Sequence, residues 1–181
     1  MTGTRTDGVA TPSQTVGPFF NFGLAPDEHL GWLQGRGERL RLRIRVVDGD
    51  DAPLPDALIE IYQADADGQY GRQSFSGFGR LATREDGTCV FDTIRPGAVS
   101  DGRGTQASHI NVCVFARGLL RHVYTRVYFT GDPNLDRDPI LALVPAGRRA
   151  TLLASPAAGE PGTWAWVIRL QGGDETVFFD L

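Results

Sequence analysis

Arg39-Leu40-Arg41-Leu42-Arg43-Ile44-Arg45-Val46 places an apolar residue at every second position, with an arginine before each one. Successive side chains of an extended chain point to opposite faces, so this stretch predicts a strand with one face buried and one wet. The pattern spreads outward from there. Ala57 to Gln63, Phe78 to Thr83, Thr88 to Ile94, Ser108 to Phe115, Leu120 to Phe129 and Trp164 to Leu170 are further short apolar runs. Asp48-Gly49-Asp50-Asp51, Asp65-Ala66-Asp67-Gly68, Glu85-Asp86-Gly87 and Gly131-Asp132-Pro133 supply turns along the way. That many short strands, punctuated by 23 glycines and 11 prolines, predicts an all-β chain folded as a sandwich or barrel. Helix is expected only in short pieces, at Leu30-Gly31-Trp32-Leu33 and over Gly147 to Leu153. The segment from Arg95 to the His109 strand and the run Ser155 to Gly162 read as loops, and Phe178-Phe179 as an apolar end docked onto the domain.

Length and composition bound the rest. The 181 residues suit one domain spanning 1–181, with Met1 to Ala10 as a loose arm. Charged residues at 22% and apolar ones at 41% describe an ordinary globular protein, and a net charge of -4 argues against nucleic acid as a bulk partner. No run of about 18 apolar residues is present and the N-terminus lacks the apolar core of a signal peptide, so the expected location is cytoplasmic. Cys89 and Cys113 each sit inside an apolar strand pattern and are expected to be buried free thiols.

Three stretches carry candidate chemistry. In Ser108 to Phe115 the apolar Ile110, Val112 and Val114 point one way, while His109 and Asn111 share the other face. Two imidazoles at that spacing could grip a metal, whereas a His and an Asn make a poor transition-metal shell. In Leu120 to Phe129 one face collects His122, Tyr124, Arg126 and Tyr128. A guanidinium among aromatic neighbours offers a planar fork to a carboxylate, and a salt bridge to an acidic neighbour is the alternative. In Thr11 to Phe20 two prolines stiffen the chain and Gly17 permits close approach, either as an arm packing its Phe pair on its own domain or as a pocket wall.

Taken together, Thr11-Pro12-Ser13-Gln14-Thr15-Val16-Gly17-Pro18, Glu60-Ile61-Tyr62-Gln63-Ala64-Asp65-Ala66-Asp67-Gly68-Gln69-Tyr70, Arg95-Pro96-Gly97, His109-Ile110-Asn111, Thr125-Arg126-Val127-Tyr128-Phe129 and Glu175-Thr176-Val177-Phe178-Phe179-Asp180 resemble the intradiol ring-cleaving dioxygenases, in the family's order along nearly the whole chain. The resemblance implies a β-sandwich with long loops and a two-subunit enzyme of aromatic catabolism (the β-ketoadipate pathway). In such enzymes Fe(III) held by a beta chain uses O2 to cleave protocatechuate to 3-carboxy-cis,cis-muconate. The family holds iron with two tyrosines and a His-x-His pair. Here Tyr70 and His109 match, but Val99 stands for the second tyrosine and Asn111 for the second histidine. Gln106 falls where the iron-bearing chain has an arginine. Valine cannot coordinate, and half of the protein ligands are gone. The resemblance therefore implies an alpha-type chain that binds no metal and has no catalytic residue, with Tyr70, Val99, His109 and Asn111 as remnant positions, hydrogen-bonded among themselves or to backbone. Gly17, Pro18 and Arg126 are implied to line the substrate pocket of the iron-bearing beta partner. A purely structural subunit and an independent transthyretin-like binding module are the competing readings.

Overall fold

The computed structural model describes residues 12–17, 19–25, 27–102 and 104–180. Ten strands occur among them: β1 (Arg39–Val47), β2 (Leu58–Gln63), β3 (Phe78–Ala82), β4 (Thr88–Ile94), β5 (Val99–Asp101), β6 (Gly104–Gln106), β7 (His109–Phe115), β8 (Val123–Phe129), β9 (Leu153–Pro156) and β10 (Thr163–Arg169). Eight of them hydrogen-bond in the order β3-β2-β7-β8-β9-β10-β1-β4, and β5 and β6 make a separate hairpin. The fold is the expected all-β sandwich. In β1 Leu40, Leu42, Ile44 and Val46 are buried, while Arg41 pairs with Asp92 and Arg43 with Glu160 outside. The buried face of β1 shares one core with Phe91 of β4, Ile59 and Ile61 of β2, Ile110, Val112 and Val114 of β7, and Val127 and Phe129 of β8.

The short strand β9 joins the two layers. Its first residues run parallel to β8, with Tyr128 opposite Leu153 and Phe129 opposite Ala154. Its last two run antiparallel to β10, with Ala165 opposite Ser155 and Trp164 opposite Pro156. This corrects the loop expected over Ser155 to Gly162. Ser155 and Pro156 carry no strand pattern, and their pairing is imposed by the neighbours that flank them.

Other expectations shift at their edges. The run Leu120 to Phe129 enters the sheet only at Val123: the turn closed by Leu119 N donating to Ala116 O ends just ahead of it, and Leu120 to His122 make no ladder pair. Gly147 to Leu153 is a 3-10 helix at Ala146–Leu152, after which Leu153 opens β9, and the turn near Leu30 is a 3-10 piece at Glu28–Gly31. The Arg95 to His109 loop contains the β5–β6 hairpin. The Phe pair of the arm does not pack as a unit: a five-residue helix, α1 (Phe20–Leu24), leaves Phe19 74% exposed and stacked on Phe22. The C-terminal end is docked, with Phe179 N donating to Tyr124 O at 2.8 Å and Thr125 Oγ1 to Val177 O at 2.8 Å. Cys89 and Cys113 are buried free thiols, and burial pushes each up to about 12. No helix among the described residues is long and apolar enough to cross a membrane.

Candidate functional site

Strand register builds the site. β7 lies between β2 and β8, with Asn111 opposite Tyr62 on one side and Arg126 on the other, and His109 opposite Tyr128. Residues directly opposite on one face of a sheet are neighbours, so Tyr62, Asn111 and Arg126 form a row across the outer face, away from the shared core.

Tyr70 reaches this row from the loop after β2. Asp65 Oδ1 accepts from the backbone N–H groups of Asp67 and Gln69 at 3.0 and 2.9 Å, which closes an Asx turn. The turn stacks on Pro96-Gly97: Gly97 N donates to Asp65 O at 2.9 Å, and a methyl group at Gly97 would come within 2.4 Å of Ala66 O. That close approach requires glycine, and it fixes the turn that delivers the Tyr70 ring.

The polar groups join into one directed chain. His109 Nδ1 lies 2.7 Å from Ala107 O, which can only accept, so Nδ1 carries the proton and Nε2 the lone pair. Nε2 accepts from the Tyr70 hydroxyl at 3.2 Å. The Tyr70 oxygen accepts from Asn111 Nδ2 at 3.0 Å, and the same amide donates to Tyr62 O at 3.2 Å. Asn111 Oδ1 accepts from Arg126 Nε at 2.8 Å. Arg126 Nη1 donates to Gln106 Oε1 at 2.7 Å, and Gln106 Nε2 to Asp101 Oδ2 at 2.9 Å. The salt bridges among the described residues are made by other cations, so Arg126 is held by neutral amide oxygens rather than by the acidic neighbour weighed from the sequence.

Charge follows from this geometry. Burial, reinforced by the Arg126 cation, lowers His109 to about 4. Burial raises Tyr70 above its usual range against the opposing pull of Asn111 and Arg126. Burial and the Asp138 carboxylate push Tyr128 up to about 12. At neutral pH the site holds a neutral imidazole, neutral phenols and one guanidinium. This donor set does not fit ferric iron. Of the four positions only Tyr70 and His109 carry suitable donors, while the Asn111 oxygen faces a cation and Val99, in β5 opposite Gln106, offers none.

One important residue escaped the sequence reading. Asp138 is 1% exposed, and its carboxylate accepts from the backbone N–H groups of Ala107, Ile140 and Leu141 at 2.8, 2.9 and 2.7 Å and from the Tyr128 hydroxyl at 3.3 Å. It clamps the 3-10 turn Leu141–Leu143 to Ala107, the residue whose carbonyl holds His109. The available signal was Asp138-Pro139, a turn-initiating pair.

Gly17 and Arg126 stand apart on this chain. Thr15 Oγ1 accepts from Gly118 N at 2.8 Å, and Val16 lines a hollow with Phe115, Leu119 and His122, so the arm lies at the β7–β8 turn. Gly17 is exposed, and a methyl group there would meet nothing within 4 Å. Pro18 lies outside the described residues. Arg126 instead lines a cavity of about 480 Å³ whose other walls include Tyr62, Phe78, Tyr124, Leu143 and Phe179. His122 packs its ring against Phe115 and sets Nε2 2.9 Å from the Tyr124 hydroxyl.

Residues 25–172 match the profile of a dioxygenase family. The chain is 39% identical to the protocatechuate 3,4-dioxygenase alpha chain of Burkholderia cepacia, over 94% of its own length and 97% of the relative's. It is 34% identical to the beta chain of protocatechuate 3,4-dioxygenase from the same organism, over 65% of this chain and 56% of that one. Among solved structures, the dioxygenase domain of a dioxygenase and carbohydrate-binding fusion from Streptomyces sp. SirexAA-E superimposes with a TM-score of 0.62 at 27% identity, covering 90% of this chain and 99% of that one.

Proposed function

The chain belongs to the dioxygenase family, and on that premise we propose that it is the iron-free alpha subunit of a protocatechuate 3,4-dioxygenase, paired in the cytoplasm with an iron-bearing beta subunit. The observation that carries this reading is the closed hydrogen-bond chain His109, Tyr70, Asn111, Arg126. Tyr70, His109 and Asn111, which the resemblance sets at ligand positions, instead satisfy one another and Arg126. A relative named as an alpha chain, similar over almost its whole length, and a second named as its beta chain support the division of labour.

In this reading the alpha chain positions rather than reacts. Gly17 and Pro18 form part of the wall around the partner's substrate, where Gly17, with no neighbour of its own chain beside it, leaves room for another molecule. Arg126 supplies positive charge to the aromatic acid and orients the ring. The iron held by the beta subunit supplies the ring-opening chemistry. Expression of this chain alone should give a colourless, iron-free protein, and co-expression with the beta chain a red-brown complex. Stoichiometric iron in the isolated chain would overturn the reading.

A purely structural subunit is the second reading, favoured by the engagement of Arg126 Nε and Nη1 within its own chain. Arg126→Ala in the assembled complex separates the two. A pocket role predicts at least a tenfold loss in kcat/KM for protocatechuate, and unchanged turnover leaves only the scaffold. An independent transthyretin-like module would fail to co-purify with any beta chain.

A further inference from the structure

We propose that the polar cavity beside the Asp65 turn is a binding site for a phosphate group, held between Arg36 and Arg72. It shares no lining residue with the cavity at Arg126. Its volume of about 450 Å³ falls within the roughly 300–1,000 Å³ typical of small-molecule sites. Packing fixes its walls. Gly37 has a φ of +141°, and a methyl group there would come within 2.8 Å of the Ala66 side chain, so the segment entering β1 presses on the turn and brings Arg36 to the cavity. Phe75, 6% exposed, anchors another wall in the shared core. Its N–H donates to Arg72 O at 3.1 Å, which closes the turn that sets Arg72 and Ser74 in the lining.

Charge decides what this lining accepts. Neither Arg36 nor Arg72 makes an ion pair among the described residues. Two carboxylates share the wall without compensating them. Asp65 Oδ1 accepts from the N–H groups of Asp67 and Gln69 at 3.0 and 2.9 Å, and Asp67 is exposed and likewise unpaired by any cation. A phosphate brings up to two negative charges and the paired oxygens that planar guanidinium forks take bidentately. The Ser74 hydroxyl adds a neutral donor. With Phe75 buried, the lining offers an aromatic ring little surface, and a compact polar anion fits it better.

The test titrates the isotope-labelled full-length chain with inorganic phosphate, at ionic strength held constant with sodium chloride, and follows backbone amide shifts by NMR. Saturable shifts at Arg36, Arg72 and Ser74 are expected, with half-saturation below about 10 mM, the range of a weak specific ligand. Arg36→Gln and Arg72→Gln should each weaken binding at least about tenfold, the loss expected for one charge-assisted contact. Both side chains are exposed, so the fold tolerates the changes. Arg45→Gln removes an exposed cation of β1 that is also without an ion pair, and it should leave binding unchanged. Shifts that grow without saturating, an equal loss in the Arg45 variant, or unaltered binding in either cavity variant overturns the proposal. No beta subunit or iron enters the measurement, so failure here leaves the subunit reading intact, and that reading falls only with iron uptake by the isolated chain.

Discussion

Asn111→Ala removes the link on which the directed chain turns. The amide makes three hydrogen bonds: to the Tyr70 hydroxyl at 3.0 Å, to Tyr62 O at 3.2 Å and from Arg126 Nε at 2.8 Å. A charged bond nets about 1.5–3 kcal/mol and a neutral one about 1 kcal/mol, but Asn111 is only half-buried and water can replace part of the loss. The expected destabilisation is about 2 kcal/mol, and for a chain of this length that lowers Tm by about 4–8 °C. Scanning calorimetry measures the drop. A double-mutant cycle with Arg126→Ala sharpens the test, because residues in one network couple: the joint loss should fall short of the separate losses by about 1 kcal/mol. Strict additivity, or a shift under about 1 °C, would show that the amide does not hold the guanidinium and would refute the network.

Asp138→Ala deprives three backbone N–H groups and the Tyr128 hydroxyl of their shared acceptor in a site 1% exposed, so a loss of about 4 kcal/mol is expected by chemical denaturation, larger than for any surface carboxylate. His109 gives a pH signature: the folded chain holds it at about 4 against an ordinary 6.5, so the unfolded chain binds the proton more readily between those values. Stability is therefore full above pH 6.5 and falls by about 3 kcal/mol as the pH drops to 4. His109→Gln should flatten that slope in urea titrations at stepped pH, and an unchanged slope would contradict the buried neutral imidazole. Asn111→His alone should take up no stoichiometric iron, because Val99 still offers no donor and Arg126 still sets a cation beside the site; Val99→Tyr with Asn111→His and Arg126→Gln should gain ferric ion and visible absorption, measured by metal analysis and spectroscopy.

The sequence by itself determined which residues lie in and which lie out. Alternation along Arg39 to Val46 and Ser108 to Phe115 needs only the pleat of an extended chain, so the buried rows and the shared face of His109 and Asn111 were legible. The turn ahead of Tyr70 was also legible, because an Asx turn is a local structure written in Asp65 to Gly68. Family membership likewise followed from segments readable in order. What Arg126 touches was not legible. Its partners Asn111 and Gln106 sit 15 and 20 residues away, and a one-residue change of register between β7 and β8 would have exchanged them. The same holds for β9, whose Ser155 and Pro156 pair only because β10 lies alongside, and for Asp138, whose role depends on the Ala107 N–H brought to it across 31 residues of chain. Local patterns fix faces because side-chain direction is a property of consecutive residues. Hydrogen-bond partners across strands are a property of register, and register exists only once the sheet has formed.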